Sequence, residues 1–194
     1  SWNASLLKQL YDRTKLYFED EILLNTTITE EKAKAMELLG DFRKQDVRKL
    51  WSNFYQDYFE ASDYQDLQIH AQNILLSKGM SKIKLFQKDA DSLTTIFINT
   101  LDRANLFATI IGVLDSENIN FVDAKLFGMK NGYCTDLITI SDNGKRVELD
   151  SEKAKVLIDK LEEAITPRVL KPKIVQRRQP RNLRHFKTDT EISF

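Results

Sequence analysis

Hydrophobic residues recur at helical spacing through the first part of the chain. Four segments carry such an apolar stripe, namely 1–20, 29–40, 47–59 and 66–76. In the second segment Thr29 stands where an N-cap is expected, and Gly40 is a typical C-terminal stop. The pattern therefore predicts that residues 1–78 are almost wholly helical, with a break at Gly79.

After Gly79 the pattern becomes β-rich. Strands are predicted at 94–101, 119–127, 133–140 and 190–194, and the stretch 82–87 alternates only weakly. Asn131 and Gly132 stand between the second and third of these strands and predict the tip of a hairpin. We expect a type I′ turn there, because that turn needs positive φ at both central residues.

Two helices are predicted among these strands, at 106–114 and 154–165. Asp150 or Ser151 is placed to cap the second helix, and Pro167 is placed to end it. The order from the first strand onward is β-α-β-β-α-link-β. This order is the ferredoxin-like plan, in which both helices lie on one face of an antiparallel sheet.

The predicted fold class is therefore α+β, with a helical segment over residues 1–78 and a ferredoxin-like βαββαβ domain over 79–194. The plan leaves one sheet face open, so we expect a homodimer that pairs through the sheet. The last strand, within 183–194, is expected to close the sheet edge beside the first strand, because that edge would otherwise be exposed.

The composition is that of an ordinary globular chain of 194 residues, 42% hydrophobic and 30% charged. No apolar run approaches the roughly 20 residues of a membrane span, and no signal-peptide pattern opens the chain. Cys134 is the one cysteine, which predicts a reducing, cytoplasmic compartment. His70 and His185 lie in no metal-ligand spacing. Because Ser1 replaces an initiator Met, we expect a fragment of a longer protein.

Charge is unevenly spread, although the formal net charge is zero. Residues 167–194 hold eight Lys or Arg against two acidic residues, a net charge of +6. Such a stretch invites a nucleic-acid interpretation. Only Phe186 supplies an aromatic ring near the basic residues, and the stretch is short, so a solvated linker lying against the acidic remainder is favoured.

The turn between the first predicted strand and helix carries a resemblance. It reads Asp102, Arg103, Ala104, Asn105, Leu106, Phe107. The stretch 97–144 resembles an ACT domain, a small regulatory module that binds amino acids and has Asp-Arg-Pro-Gly-Leu-Phe at this turn. The flanks 50–75 and 177–194 resemble segments around the first ACT domain of the bacterial bifunctional uridylyltransferase/uridylyl-removing enzymes. The resemblance spans nearly the whole chain.

In that family a nucleotidyltransferase domain and an HD phosphohydrolase domain precede two ACT domains, and the enzyme modifies the PII nitrogen-signalling protein. The resemblance implies a non-catalytic regulatory fragment, with glutamine as effector and PII as a partner through the parent enzyme. The chain has no His-Asp and no Gly-Ser dipeptide, which the two active sites need. Mg²⁺ is therefore expected only in the missing catalytic domains, and no cofactor is expected in this fragment.

The resemblance also places a candidate ligand site at the six residues of the turn. Free N–H groups at a helix start bind carboxylates, and Asp102 has the charge to take the ammonium of an amino acid. The alternative is a plain strand-to-helix turn with Asn105 as N-cap. Ala104-Asn105 stands in place of the family's Pro-Gly, so the Asn105 side chain lies where a ligand would enter.

Three further residues carry possible chemistry. His70 is interpreted as a satisfied, partly buried core histidine, with a role near the missing hydrolase site as the alternative. Cys134 lies in a strand with no histidine nearby in sequence, which argues against a catalytic thiol. Asp136 shares a strand face with Cys134 and Ile138, and its partner is either the turn or another domain.

Two other classes of function stay open at this point. One is an ACT-containing regulatory fragment of a guanosine-tetraphosphate synthetase/hydrolase, against which the link over 177–186 argues. The other is a stand-alone amino-acid-binding or dimerisation module.

Overall fold

The computed structural model describes residues 23–88, 93–166 and residue 170 of the chain. Its first part is helical, with a helix that covers residues 23–38 (α1), then α2 (Lys44–Trp51), α3 (Gln56–Glu60) and α4 (Tyr64–Ser77). Its second part contains β1 (Lys82–Phe86), β2 (Thr94–Leu101), α5 (Leu106–Ser116), β3 (Asn120–Gly128), β4 (Tyr133–Ser141) and α6 (Glu152–Ile165). The predicted α+β class, with helices followed by a ferredoxin-like sheet, is confirmed.

The four strands form one antiparallel sheet in the order β1-β2-β4-β3. The central strands β2 and β4 pair in continuous register, from Thr94 opposite Ile140 to Leu101 opposite Tyr133. Among the strands that the structure describes, β3 pairs with β4 alone, and a bulge interrupts its register between Phe121 and Asp123. This sheet brings the start of α5, the end of β3 and the start of β4 together at one end of the molecule.

The place beside β2 that was predicted for the last strand of the chain is filled by β1. Ile83 and Leu85 of this short strand are buried under the helices of one face, and Phe86 is buried on the other. That burial explains why a weakly alternating stretch forms a strand. The predicted strand within 183–194 lies outside the described residues, as do the helix predicted over 1–20, the basic link and Pro167.

One face of the sheet is covered by α5 and α6, as the ferredoxin-like plan requires. Because side chains alternate along a strand, every second residue of β2 and β4 meets these helices. The core is almost wholly aliphatic, and its most buried members are Ile96, Ile98, Ile110, Leu114, Ile138, Ile140, Leu157 and Leu161. Ser151 caps α6 by accepting a hydrogen bond from the Ala154 N–H at 3.1 Å, as predicted for one of two candidates.

The opposite face, predicted to be open, is covered by the N-terminal helices. Its core is rich in aromatic residues, which are Trp51, Phe54, Tyr58, Phe59, Phe86, Phe97 and Phe127. Lys88 ties α4 to the end of β1, since its Nζ lies 2.7 Å from Asp66 and 2.9 Å from Asp63. The prediction of an open face is therefore wrong, because short helices with apolar stripes need a partner surface and the sheet supplies it.

The hairpin between β3 and β4 forms where it was predicted, but with a different turn. Gly132 has a φ of 80°, whereas Asn131 has no positive φ. The Gly132 N–H donates to the Met129 carbonyl oxygen at 3.1 Å, which closes the turn before β4 begins. The type I′ geometry is found one turn later, where Asn143 and Gly144 have φ values of 51° and 79°.

Two predicted helix boundaries are also wrong. Thr29 lies inside α1, and its hydroxyl donates to the Asn25 carbonyl oxygen at 2.8 Å, so it is no N-cap. The segment 47–59 is divided between α2 and α3. The break occurs because Ser52 and Asn53 donate side-chain hydrogen bonds back to the Lys49 carbonyl oxygen at 2.8 and 3.0 Å.

Candidate functional site

The turn that joins β2 to α5 leaves backbone donors open. Asn105 is the N-cap of α5, but it adopts a left-handed conformation with φ 67°, and its side chain makes no capping hydrogen bond. The plain N-cap interpretation is therefore right about position and wrong about the hydrogen bond. Among the described residues, no backbone acceptor is found for the N–H groups of Phe107 and Ala108. The first turn of α5 consequently presents donors and the positive end of a helix dipole.

A cavity of about 420 Å³ opens beside this turn. Five of the six predicted site residues line it, and Ala104 does not. The remaining lining residues come from α5, β3 and β4, and they are Ala108, Leu126, Phe127, Gly128, Cys134 and Asp136. Sequence reasoning had only the local turn to work from, whereas these residues reach the cavity through strand register, with Leu126 opposite Asp136 and Gly128 opposite Cys134.

Two carboxylates lie on the cavity wall in different environments. Asp102 is exposed at the turn, while Asp136 is only 4% exposed. Burial, with a smaller effect from the negative charge of Asp102, raises the pKa of Asp136 to about 7. The one sequence feature that pointed to Asp136 was its place inside the apolar strand "CTDLITI", on the face shared by Cys134 and Ile138.

Arg103 connects the turn to the end of α6. Its guanidinium Nη2 donates to the Ile165 carbonyl oxygen at 2.5 Å. A cation at a helix C-terminus is favourably placed for the helix dipole. A movement of the turn would therefore reach the last residue of α6 through one hydrogen bond.

Cys134 lies on the wall of the same cavity, but it is not a reactive thiol. Burial, with the nearby charges of Asp136 and Asp102, raises the pKa of its thiol to about 12. A thiol with so high a pKa carries almost no thiolate at neutral pH. The cysteine therefore contributes shape to the cavity and a weak hydrogen-bond donor to Asp136.

His70 lies among the aromatic residues of the core, in an environment unlike that of a metal ligand. It is fully buried, its Nδ1 is 3.0 Å from the Tyr58 hydroxyl oxygen, and its ring stacks on Phe97. The interpretation of a satisfied, partly buried histidine is only half right, because Nε2 has no hydrogen-bond partner. Burial lowers the pKa of His70 to about 3, so the ring is neutral at physiological pH.

Within residues 23–88, 93–166 and 170, no cluster of three or more His, Cys, Asp or Glu side chains could hold a metal ion. No helix in this part of the chain is both long enough and apolar enough to cross a bilayer. The arrangement that the described residues do present is a pocket lined both by the open first turn of α5 and by a buried carboxyl group.

Comparison with known proteins gives a consistent relationship. No family model matches the chain. A bifunctional uridylyltransferase/uridylyl-removing enzyme of Vibrio cholerae is 32% identical over 205 residues, which covers 100% of this chain and 23% of the relative. The enzymes of the same name from Acinetobacter baumannii and Idiomarina loihiensis are 30% and 27% identical, and they cover 99% and 100% of the chain.

The chain spans 23% of the length of these curated relatives, so it matches one segment of them. The match includes the helical part, the sheet and the residues after α6, because it covers the whole chain. The predicted resemblance to the bifunctional uridylyltransferase/uridylyl-removing enzymes is confirmed over the full length of the sequence.

Proposed function

We propose that this chain is a non-catalytic regulatory segment of a bifunctional uridylyltransferase/uridylyl-removing enzyme, and that it senses an amino acid. The observation that carries the proposal is the 420 Å³ cavity at the start of α5. Its lining combines open N–H groups with carboxyl groups, which suits a zwitterion. Glutamine is the proposed effector, and the PII protein is the proposed partner of the whole enzyme.

The dimensions and chemistry of the cavity suit a small polar ligand. Its volume falls at the low end of the range for small-molecule sites, about 300–1,000 Å³. The N–H groups of Phe107 and Ala108 suit a carboxylate. Leu126 and Phe107 offer apolar surface to the methylene groups of a side chain such as that of glutamine.

A sensor must be connected to what it controls. An effector shifts an enzyme between two states only if it binds those states with different affinity. The sheet that carries the cavity packs through its other face on α1–α4, so a change at β4 or β3 meets the helical segment directly. We propose that these helices carry the shift toward the catalytic domains, which would hold any Mg²⁺ and work in the cytoplasm.

The proposal is tested by calorimetry and thermal unfolding of the purified chain with millimolar glutamine. We expect a heat of binding and a raised melting temperature, since a ligand at a hundredfold excess over Kd stabilises by about 2.7 kcal/mol. Glutamate, asparagine and serine serve as comparison ligands. If none of these amino acids produces either signal, the sensing proposal is overturned.

A second test addresses the non-catalytic part of the proposal. The chain is incubated with PII protein, UTP and Mg²⁺ or Mn²⁺, and uridylylated PII is measured by mass spectrometry. We expect no uridylyl transfer and no removal, because the described residues hold no metal cluster. Turnover that persists through further purification would contradict this assignment.

A further inference from the structure

Asp136 occupies an unusual position on the central strand β4. It lies between Ile98 of β2 and Leu126 of β3 in the sheet register, on the face that carries the aliphatic core. Its neighbours two residues away on the same face are Cys134 and Ile138. A carboxyl group in this environment costs free energy when it ionises, unless a cation reaches it.

Among the described residues, no cation forms an ion pair with the Asp136 carboxyl group. The one hydrogen-bond partner of the Asp136 carboxyl group among them is the Cys134 thiol, a weak donor. The charge that acts on its pKa is that of Asp102, which has the same sign. The Arg103 guanidinium at the turn donates to Ile165 instead. A side chain that is 96% buried, faces a cavity and lacks a counter-ion indicates that the counter-ion arrives with a ligand.

We propose that Asp136, and not Asp102, binds the α-ammonium group of the amino-acid ligand, while the N–H groups of Phe107 and Ala108 bind its α-carboxylate. This inference rests on the proposed function and assigns its polar contacts. Asp102, which is exposed at the turn, contributes long-range attraction at the mouth of the cavity. Solvent screens that contribution far more than the one inside the cavity.

The geometry has a consequence for protons. The charged or titratable groups around the Asp136 carboxyl group are Asp102 and Arg103 from the turn and Cys134 from β4, since β2 and β3 present Ile98 and Leu126. With its pKa raised to about 7, Asp136 is mostly protonated at pH 6 in the empty protein. An arriving ammonium group favours the ionised form, so binding releases a proton to the solvent.

The experiment compares two variants and two ligands. The variants are Asp136→Asn and the matched Asp102→Asn, each of which changes one carboxylate to an amide of the same shape. The ligands are L-glutamine and glutaramic acid, which is glutamine without its α-amino group. Isothermal titration calorimetry gives the affinities, and circular dichroism with thermal unfolding shows that each variant is folded.

We expect the native chain and Asp102→Asn to prefer glutamine over glutaramic acid. Asp136→Asn should bind glutamine about 10- to 100-fold more weakly, because a charge-assisted hydrogen bond is lost, and should no longer discriminate between the two ligands. Titrations at pH 6 in two buffers of different ionisation enthalpy should show release of close to one proton per glutamine with the native chain and none with Asp136→Asn.

The outcomes separate this inference from the proposed function. If the native chain binds glutamine and folded Asp136→Asn binds it equally well, the assignment of Asp136 is overturned and the sensing proposal stands. Loss of discrimination in Asp102→Asn instead would move the ammonium site to the rim and overturn the inference. If the native chain binds no amino acid, both proposals fall together.

Discussion

The two faces of the sheet bury ionisable side chains in opposite ways. On the α1–α4 face, His70 is enclosed by aromatic rings: it is stacked on Phe97 and hydrogen-bonded to Tyr58. On the α5–α6 face, the one partner of Asp136 within the described part of the chain is a thiol, and Asp136 faces open volume. The difference teaches how to distinguish two roles of a buried titratable group. A group enclosed by packed rings serves the core, whereas we propose that a group facing an empty space without a counter-ion serves a ligand.

The largest expected effect tests whether the aromatic face is a true core of the sheet. Phe97 is fully buried and contacts the helices that cover this face. Phe97→Ala should lower the free energy of unfolding by about 3–5 kcal/mol, through lost burial and a cavity. Urea unfolding measures the loss, and Ile98→Ala on the opposite face is the matched control, with about 2–5 kcal/mol expected. A loss below 1 kcal/mol for Phe97→Ala would mean that the helices are not held by the sheet.

The next effect concerns the pH dependence that Asp136 imposes. Its pKa is raised from 3.8 to about 7, so the folded state binds the proton more tightly than the unfolded state. Stability from this group is present below the unfolded pKa and is lost as pH rises through the folded pKa. Between pH 5 and pH 8 the free energy of unfolding of the native chain should fall by about 2.5 kcal/mol. The Asp136→Asn variant should not show this fall. Urea titrations at several pH values measure the difference, and parallel curves for the two proteins would contradict a buried carboxyl group.

His70 should make the free energy of unfolding depend on pH in the opposite direction, at acidic pH. Its pKa is lowered from 6.5 to about 3, so the unfolded state takes up a proton that the folded state rejects. Stability from this group is present above pH 6.5 and is lost as pH falls toward the folded pKa. Between pH 7 and pH 5 the loss is about 2 kcal/mol, and His70→Leu should remove it. Unfolding curves that keep the native acid dependence in this variant would show that other groups cause it.

The smallest expected effect isolates the turn. Asn105 and Asn118 both have positive φ, of 67° and 55°, but only Asn105 lines the cavity. Replacing either with glycine should raise stability by less than about 1 kcal/mol, because glycine adopts this conformation without strain. Only Asn105→Gly should also strengthen glutamine binding, by removing a side chain from the entrance. Equal affinities for the two variants would show that the Asn105 side chain does not obstruct the ligand.

The sequence predicted what depends on local pattern and missed what depends on assembly. The strand at 94–101, the helix that follows and the Ser151 cap were readable from spacing and residue type. The split between α2 and α3 was not, because Ser52 and Asn53 compete for backbone acceptors within an otherwise helical apolar stripe. The covered sheet face was also missed, since nothing in the periodicity of a helix says which surface it will meet.

The candidate site shows the same division. The turn residues were identified from a motif, and five of them line the cavity. Asp136 was noted on the correct strand face but could not be assigned to the turn, because it lies 29 positions after Phe107 and the pairing of β2 with β4 brings them together. The strongest indication that Asp136 belongs to the site is that its carboxyl group has no cation paired with it among the described residues, and the structure is needed to see this.

The position of β1 has a kinetic consequence. Its partner residues lie close in sequence, from Phe86 opposite Thr95 to Lys82 opposite Asn99. A strand drawn from beyond α6 would have to close a loop that contains most of the sheet and both of its helices before it could pair. Loop-closure entropy rises with chain separation, and folding rates fall as contacts become less local. We therefore expect the β1–β2 edge to form early in folding, so that the central strands acquire a neighbour before the longer-range pairing of β2 with β4 is complete.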